Sequence, residues 1–278
     1  MIRKKIFGPS HVAVYGALRM PRELRVGLFP YLNVQLLHHG LRRCPDVRVV
    51  SDVPSKIASA FRAGELDLAM VPSFEAATLE APLVDGIGIA AEGPVETVLL
   101  HLRTPLAEVR SLALDEASRT SAALSKLLVL EAAGTLPESR SFQGAHEQAP
   151  EADGILVIGD PAFRFTRPGY APLDLGAEWH RRERLPFVFA VMAMRPEVLE
   201  LRPRGLLMEA LAAGREAASN LARSYNSGVD AARAERYMTR VIRYEIGPRE
   251  KEGLALFHRL ARERGLLPPT KELEFHAD

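Results

Sequence analysis

Ser111–Leu130 reads SLALDEASRTSAALSKLLVL. Leu112, Ala113 and Leu114 read as the end of a buried strand, and Ala122 to Ala133 reads as a helix with Leu124, Leu127, Leu128 and Leu130 on its apolar face. Between them, Ser118-Arg119-Thr120-Ser121 packs three hydroxyls and a guanidinium into four positions. A helix start has unpaired N–H groups and the positive end of the helix dipole, so this junction suits a bound anion. Serine and threonine add donors there, and Arg119 can grip a carboxylate with two parallel bonds. An ordinary N-cap, with Arg119 paired to Asp115 or Glu116, accounts for the same residues.

Other strand ends carry similar small-polar punctuation. Leu24 to Phe29 is an apolar strand, broken by Pro30-Tyr31-Leu32-Asn33 before a helix over 34–43. Asn33 either caps that helix or turns its amide into a cleft at the carboxyl end of the strand. Val47 to Val50 predicts a second strand. Pro54 opens a helix that Gly64 ends, and Asp67 to Val71 is a third strand closed by Pro72-Ser73. This βαβ rhythm predicts a parallel sheet with right-handed crossovers. Gly93-Pro94-Val95-Glu96-Thr97 is a turn into the strand Val98 to Leu102, after which Arg103-Thr104-Pro105 is expected to cross to a second lobe.

That lobe holds the opening stretch and the strand Gly154 to Ile158, ended by Gly159-Asp160-Pro161, where Asp160 is expected to act as a cap for the next turn. Leu185 to Val191 crosses back, and 206–225, 229–242 and 248–264 carry helical periodicity. The expected division is an extension over 1–23, a discontinuous first lobe of 24–103 plus 190–278, and a second lobe of 104–189. Two α/β lobes joined by two crossings, with polar strand ends facing each other, make a cleft binder. The expected fold is therefore two-lobed and periplasmic-binding-protein-like, of type 2.

Composition narrows the function. With 278 residues and 47% hydrophobic residues the chain can build a sizeable core, and a net charge of +1 gives no reason to expect nucleic acid or a membrane as partner. Cys44 is the only cysteine, and the histidines, His38-His39 included, show no spaced ligand pair, so no metal is expected. Gly86-Ile87-Gly88 lacks the third glycine of a dinucleotide fingerprint, and neither a phosphate loop nor a nucleophile elbow is present. No apolar run approaches the roughly 20 residues of a membrane helix. The basic start MIRKK is followed by Gly8, Pro9 and Ser10, which break a signal-peptide core. The expectation is a cytoplasmic protein with an irregular N-terminal extension, Met20 being a possible working initiator. The remaining inventory of amides, hydroxyls, helix starts and one arginine suits holding a small carboxylate-bearing ligand.

Tyr31-Leu32-Asn33, Gly64-Glu65-Leu66-Asp67, Gly93-Pro94-Val95, Ser118-Arg119-Thr120-Ser121, Ile158-Gly159-Asp160 and Leu185-Pro186-Phe187-Val188-Phe189-Ala190 occur in one order. Together with Tyr237, Arg243-Tyr244 and Ile246-Gly247, this set resembles the chorismate dehydratases of menaquinone biosynthesis by the futalosine route, over roughly Arg25 to Leu260. The resemblance implies a cofactor-independent hydro-lyase that removes water from chorismate to give 3-enolpyruvyloxybenzoate. It makes Asn33 a substrate-contacting, catalytic amide, and Thr97 the second catalytic candidate at a position where relatives often carry serine. Ser118, Arg119, Thr120 and Ser121 are expected to bind a carboxylate, with Tyr31, Ser73, Gly93, Pro94 and Asp160 completing the substrate site. The proton-abstracting base is either a protein group or the substrate's own enolpyruvyl carboxylate. Two alternatives share the architecture: a non-catalytic receptor for a small carboxylate, and the related dihydroxynaphthoate-forming enzyme of the same pathway.

Overall fold

A computed structural model describes residues 23–277. The expected extension over 1–23 therefore lies, but for its last residue, outside the described residues. The chain begins with β1 (Leu24–Leu28), α1 (Gln35–Leu41), β2 (Val47–Ser51), α2 (Pro54–Arg62), β3 (Leu68–Pro72), the single turn α3 (Ser73–Ala76) and β4 (Leu83–Ala91). β5 (Val98–Leu102), β6 (Ser111–Asp115), α4 (Arg119–Ala133), β7 (Glu138–Phe142), β8 (Gly154–Ile158), β9 (Ala171–Asp174) and α5 (Leu175–Glu183) come next. The return strand β10 (Phe187–Met194) leads to α6 (Pro203–Glu216), α7 (Ala218–Ser224), α8 (Ala231–Arg236), α9 (Pro248–Glu263) and β11 (Phe275–His276).

These strands form two sheets, ordered β11-β4-β10-β3-β1-β2 and β7-β6-β8-β5-β9. The predicted parallel register holds for β1 with β2 and β3, and for β6 with β7 and β8. Both sheets are nevertheless mixed. β10 runs antiparallel to β3 and β4 because it returns from the other lobe, and β5 runs antiparallel to β8 and β9.

The expected crossing at Arg103–Pro105 is corrected by that pairing. β5 belongs to the second sheet, where Leu100 is fully buried opposite Leu156 and Leu173. The chain crosses earlier, through 92–97, where Asp174 at the N-cap of α5 grips the turn. Its carboxylate accepts from the N–H groups of Val95 at 3.0 Å, Glu96 at 2.8 Å and Ala177 at 3.0 Å. The return boundary moves too, from residue 190 to just before β10, which is buried along its whole length in the first sheet.

Hydrophobic burial accounts for the frame. β3 and β10 are covered on both faces, as their unbroken apolar sequences LAMVP and FVFAVMAM require. Trp179 of α5, Phe187 of β10 and Phe257 of α9 meet edge to face at centroid separations of 4.9 to 6.1 Å, joining elements on either side of the return crossing. α1 crosses α6 with backbone almost touching backbone. A Cβ on Gly40 would lie 2.1 Å from the Ala210 carbonyl, and one on Gly214 would lie 2.1 Å from that of Leu36. Only glycine allows this approach.

Candidate active site

A cavity of about 530 Å³, including its open mouth, lies between the lobes at the carboxyl ends of β1, β3, β6 and β8. Its apolar walls are Phe29, Ile89, Val95, Val98, Phe189 and Ile242, and its polar groups are Tyr31, Asn33, Thr97, Ser118, Thr120 and Ser121. Among the described residues that line it, none carries an ionised side chain. Burial pushes the Tyr31 phenol well above its ordinary range, helped by the nearby Asp115, Asp160 and Asp52, so it too stays neutral.

Asn33 sits on a 3-10 turn, Leu32–Val34, placed by the proline that ends β1. Its side chain does not cap the following helix. Oδ1 is buried against the cavity without a hydrogen-bond partner. An unpaired buried amide oxygen costs about 1–3 kcal/mol, which a ligand donor would recover. The structure thus places Asn33 in the cleft, the second of its two sequence readings.

Across the cavity, α4 starts at Arg119, three residues earlier than its leucine spacing suggested. Ser118 is the N-cap residue, but its side chain makes no capping bond. The first intrahelical bond is Ala122 N–H to the Ser118 carbonyl at 3.1 Å. Ser118 and Ser121 line the cavity beside this helix start, an arrangement whose N–H groups and hydroxyls suit a bound anion. Thr120 also lines it, while its Oγ1 accepts from the Phe74 N–H of the opposite lobe at 3.1 Å.

Thr97 is buried at the end of the first crossing. Its Oγ1 lies 2.6 Å from the hydroxyl of Tyr237, whose ring is wholly buried at the start of a π-helical turn continuing α8. Tyr237 stands behind the cavity wall as the partner of Thr97, and the sequence offers it only as part of the family resemblance. Its separation of 140 positions from Thr97 leaves no local signal.

Four expectations need correction. Arg119 turns away from the cavity, with its guanidinium 3.3 Å from the carboxylate of Glu75 on α3, and neither Asp115 nor Glu116 is its partner. Ser73 is fully buried behind the wall, its hydroxyl donating to the Val188 carbonyl at 2.6 Å. Gly93 and Pro94 shape the crossing without lining the cavity, which their neighbours Val95 and Thr97 do. Asp160 is neither a cap nor a wall. Its Oδ1 accepts from the Leu32 N–H at 3.0 Å, and its Oδ2 lies 2.6 Å from the hydroxyl of Tyr225. Room for the Tyr31 ring comes from Gly159, where a Cβ would fall 2.9 Å from that ring and φ is +68°.

Among the described residues no group of three or more His, Cys, Asp or Glu side chains is placed to hold a metal ion, and no helix is long and apolar enough to cross a membrane. The fold is shared with solved structures of low sequence identity. A protein of Archaeoglobus fulgidus superposes with a TM-score of 0.66 at 16% identity, covering 88% of this chain and 98% of that one. The periplasmic aliphatic sulphonate binding protein SsuA of Escherichia coli superposes with a TM-score of 0.58 at 18% identity, covering 93% and 97%. This is the expected periplasmic-binding-protein-like architecture. Among curated proteins, the chorismate dehydratase of Thermus thermophilus is 32% identical over 256 residues, 84% of this chain and 93% of that protein. The chorismate dehydratase of Campylobacter jejuni is 29% identical over 172 residues, 59% and 64% of the two chains. A family model described as menaquinone biosynthesis matches residues 24–263. That match runs from the first residue of β1 to the last of α9, through both lobes and every cavity wall, and the chain belongs to the menaquinone biosynthesis family.

Proposed function

We propose that the protein is a cytoplasmic chorismate dehydratase of the futalosine route, converting chorismate to 3-[(1-carboxyvinyl)oxy]benzoate and water. The observation that carries this reading is the unpartnered Asn33 Oδ1 facing an anion cradle across a cavity with no ionised wall. The reaction breaks the ring C–H bond beside the enolpyruvyl ether and the neighbouring C–OH bond, and the electron pair left on carbon completes an aromatic ring. Those two groups lie on one face of the ring, which favours a stepwise path over a concerted anti elimination.

In such a path, charge builds from the deprotonated carbon towards the ring carboxylate. The start of α4, with Ser118 and Ser121, is suited to hold that carboxylate, and a well-placed donor there contributes about 3 kcal/mol to the transition state. With the cavity walls lacking an ionised group, the substrate's own enolpyruvyl carboxylate takes the ring proton. It then passes that proton to the departing hydroxyl, which leaves as water. Asn33 Oδ1 accepts the hydrogen of that hydroxyl and so turns its lone pairs towards the incoming proton. Phe189, Val98 and Ile242 line the cavity with apolar surface suited to packing against the ring and excluding bulk water.

The deciding experiment mixes purified protein with chorismate, follows the ultraviolet spectrum and identifies the product by mass. Loss of one water with an aromatic product supports the proposal. Binding without conversion would move the small-carboxylate receptor to the front, and neither binding nor conversion would remove chorismate as the ligand.

A further inference from the structure

Tyr225 closes α7 with its hydroxyl 2.6 Å from the Pro30 carbonyl and 2.6 Å from Asp160 Oδ2. A phenol has one hydrogen to donate, and a carbonyl oxygen has none. If Asp160 were ionised, one of these two short contacts would set lone pairs against lone pairs with no proton between them. A consistent assignment gives Asp160 Oδ2 the second proton: the acid donates to Tyr225, and Tyr225 donates to Pro30. Asp160 Oδ1 remains free to accept the Leu32 N–H at 3.0 Å. Two of these bonds land on the segment Pro30–Leu32, immediately before Asn33, and the third, between Asp160 and Tyr225, ties them together.

We propose that Asp160 is a neutral carboxylic acid that, through Tyr225 and the Leu32 amide, fixes the turn carrying Asn33 and acts as a positioning residue for that amide. The inference rests on the reading of Asn33 as a substrate contact. Asp160 follows β8 in the second lobe and Pro30–Leu32 come after β1 in the first, so the same bonds link the two lobes. The geometry carries this assignment, and burial acts on the same carboxyl in the same direction. Burial raises the Asp160 carboxyl above its ordinary value, outweighing the opposing pull of Tyr225, the Leu32 amide and Arg164. Tyr31, Tyr225 and Tyr237 face it as phenols that burial keeps neutral, which leaves Arg164 as its cationic neighbour. Raising the pH through the elevated Asp160 value removes the proton, breaks the chain of donors and loosens the Asn33 turn.

Asp160→Asn is the informative variant. Its amide oxygen can accept from Leu32 and its NH₂ can donate to Tyr225, so it reproduces the neutral acid and lacks the ionisable proton. The first measurement is an infrared difference spectrum, wild type minus Asp160→Asn, of ligand-free protein at neutral pH. The expected result is a protonated-carboxyl band in the wild type, and its absence overturns the proposal. Kinetics give the second arm. Asp160→Ala and Tyr225→Phe are expected to lower kcat about tenfold to a hundredfold with KM little changed, the scale of a misplaced reacting group. Asp160→Asn is expected to restore kcat and to lose the alkaline decline. An Asp160→Asn enzyme as impaired as Asp160→Ala overturns the proposal as well. If the wild type does not convert chorismate, the proposed function fails on its own, and the infrared band still decides the state of Asp160.

Discussion

The Thr97 hydroxyl lies 2.6 Å from the Tyr237 hydroxyl, and both are buried. Burial holds the Tyr237 phenol far above its ordinary value, so it always carries its proton. When Tyr237 donates, the Thr97 hydrogen is released towards the cavity, because its other acceptor, the Val95 carbonyl, is a distant 3.5 Å away. The irregular π turn that begins at Tyr237 is the kind of local distortion that gathers at functional sites. Tyr237→Phe is therefore expected to lower kcat about tenfold, the loss of roughly one oriented hydrogen bond. Thr97→Ser should retain activity and Thr97→Val should not. Equal activity in the serine and valine variants would take the Thr97 hydroxyl out of the reaction.

Asn33 is fixed by its turn and its Oδ1 has no protein partner, so its replacement should spare the fold. Asn33→Ala is expected to lower kcat by about 10²–10³, the usual cost of removing one preorganised polar group at a reacting centre. Asn33→Asp sets a negative charge against a dianionic substrate and should raise KM as well. Thermal midpoints measured beside the kinetics separate the two effects. Near-normal turnover by Asn33→Ala would remove the residue from the mechanism.

Local pattern carried much of the site. The apolar run of β6 followed by leucines at helical spacing located α4, though not its first turn, and the proline after β1 located the Asn33 turn. Partners distant in the chain were not legible. Whether β5 joins the first or the second sheet depends on strands β8 and β9, and its own alternation is the same either way. Arg119 was readable as a carboxylate ligand, but its carboxylate is Glu75 on the other lobe. The link from Asp160 through Tyr225 to Pro30 joins three distant segments, each of which reads locally as a helix end or a turn.

His258 of α9 anchors the wall behind Thr120. Its Nε2 lies 2.9 Å from the Ser73 carbonyl, and burial pushes its pKa down to about 4 against the Ser73 bond, which raises it. The unfolded chain takes up this proton below about pH 6.5 while the folded chain stays neutral until about 4, so stability falls as the pH drops through that window. The full difference is of the order of 3 kcal/mol. His258→Gln, which can still donate to Ser73 and does not titrate, should flatten this acid limb. Urea unfolding of both proteins at pH 6.5 and 4.5 measures it. Parallel pH dependences would show that the acid limb has another source.

The Arg119–Glu75 pair makes a prediction of opposite sign. Glu75 is buried, with Oε2 unpartnered, and desolvation raises its pKa although Arg119 and Arg62 pull it down. The folded chain then keeps a proton where the unfolded chain has lost it, so stability falls as the pH rises from the ordinary carboxylate range through the elevated value. Arg119→Ala removes the larger counter-charge and should deepen that loss towards neutral pH. The Arg119 side chain is 56% exposed, so solvent screening limits the pair's own contribution to less than about 1 kcal/mol. Glu75→Gln removes the buried charge and should abolish most of the Arg119→Ala penalty in the double variant. Thermal midpoints of the four proteins at pH 5 and pH 8 test the coupling, and a penalty unchanged by Glu75→Gln would show that Arg119 stabilises through another contact. Because its guanidinium lies outside the cavity, Arg119→Ala should leave kcat nearly unchanged. A collapse of kcat in a stable Arg119→Ala protein would mean that the arginine leaves Glu75 and reaches the substrate during turnover.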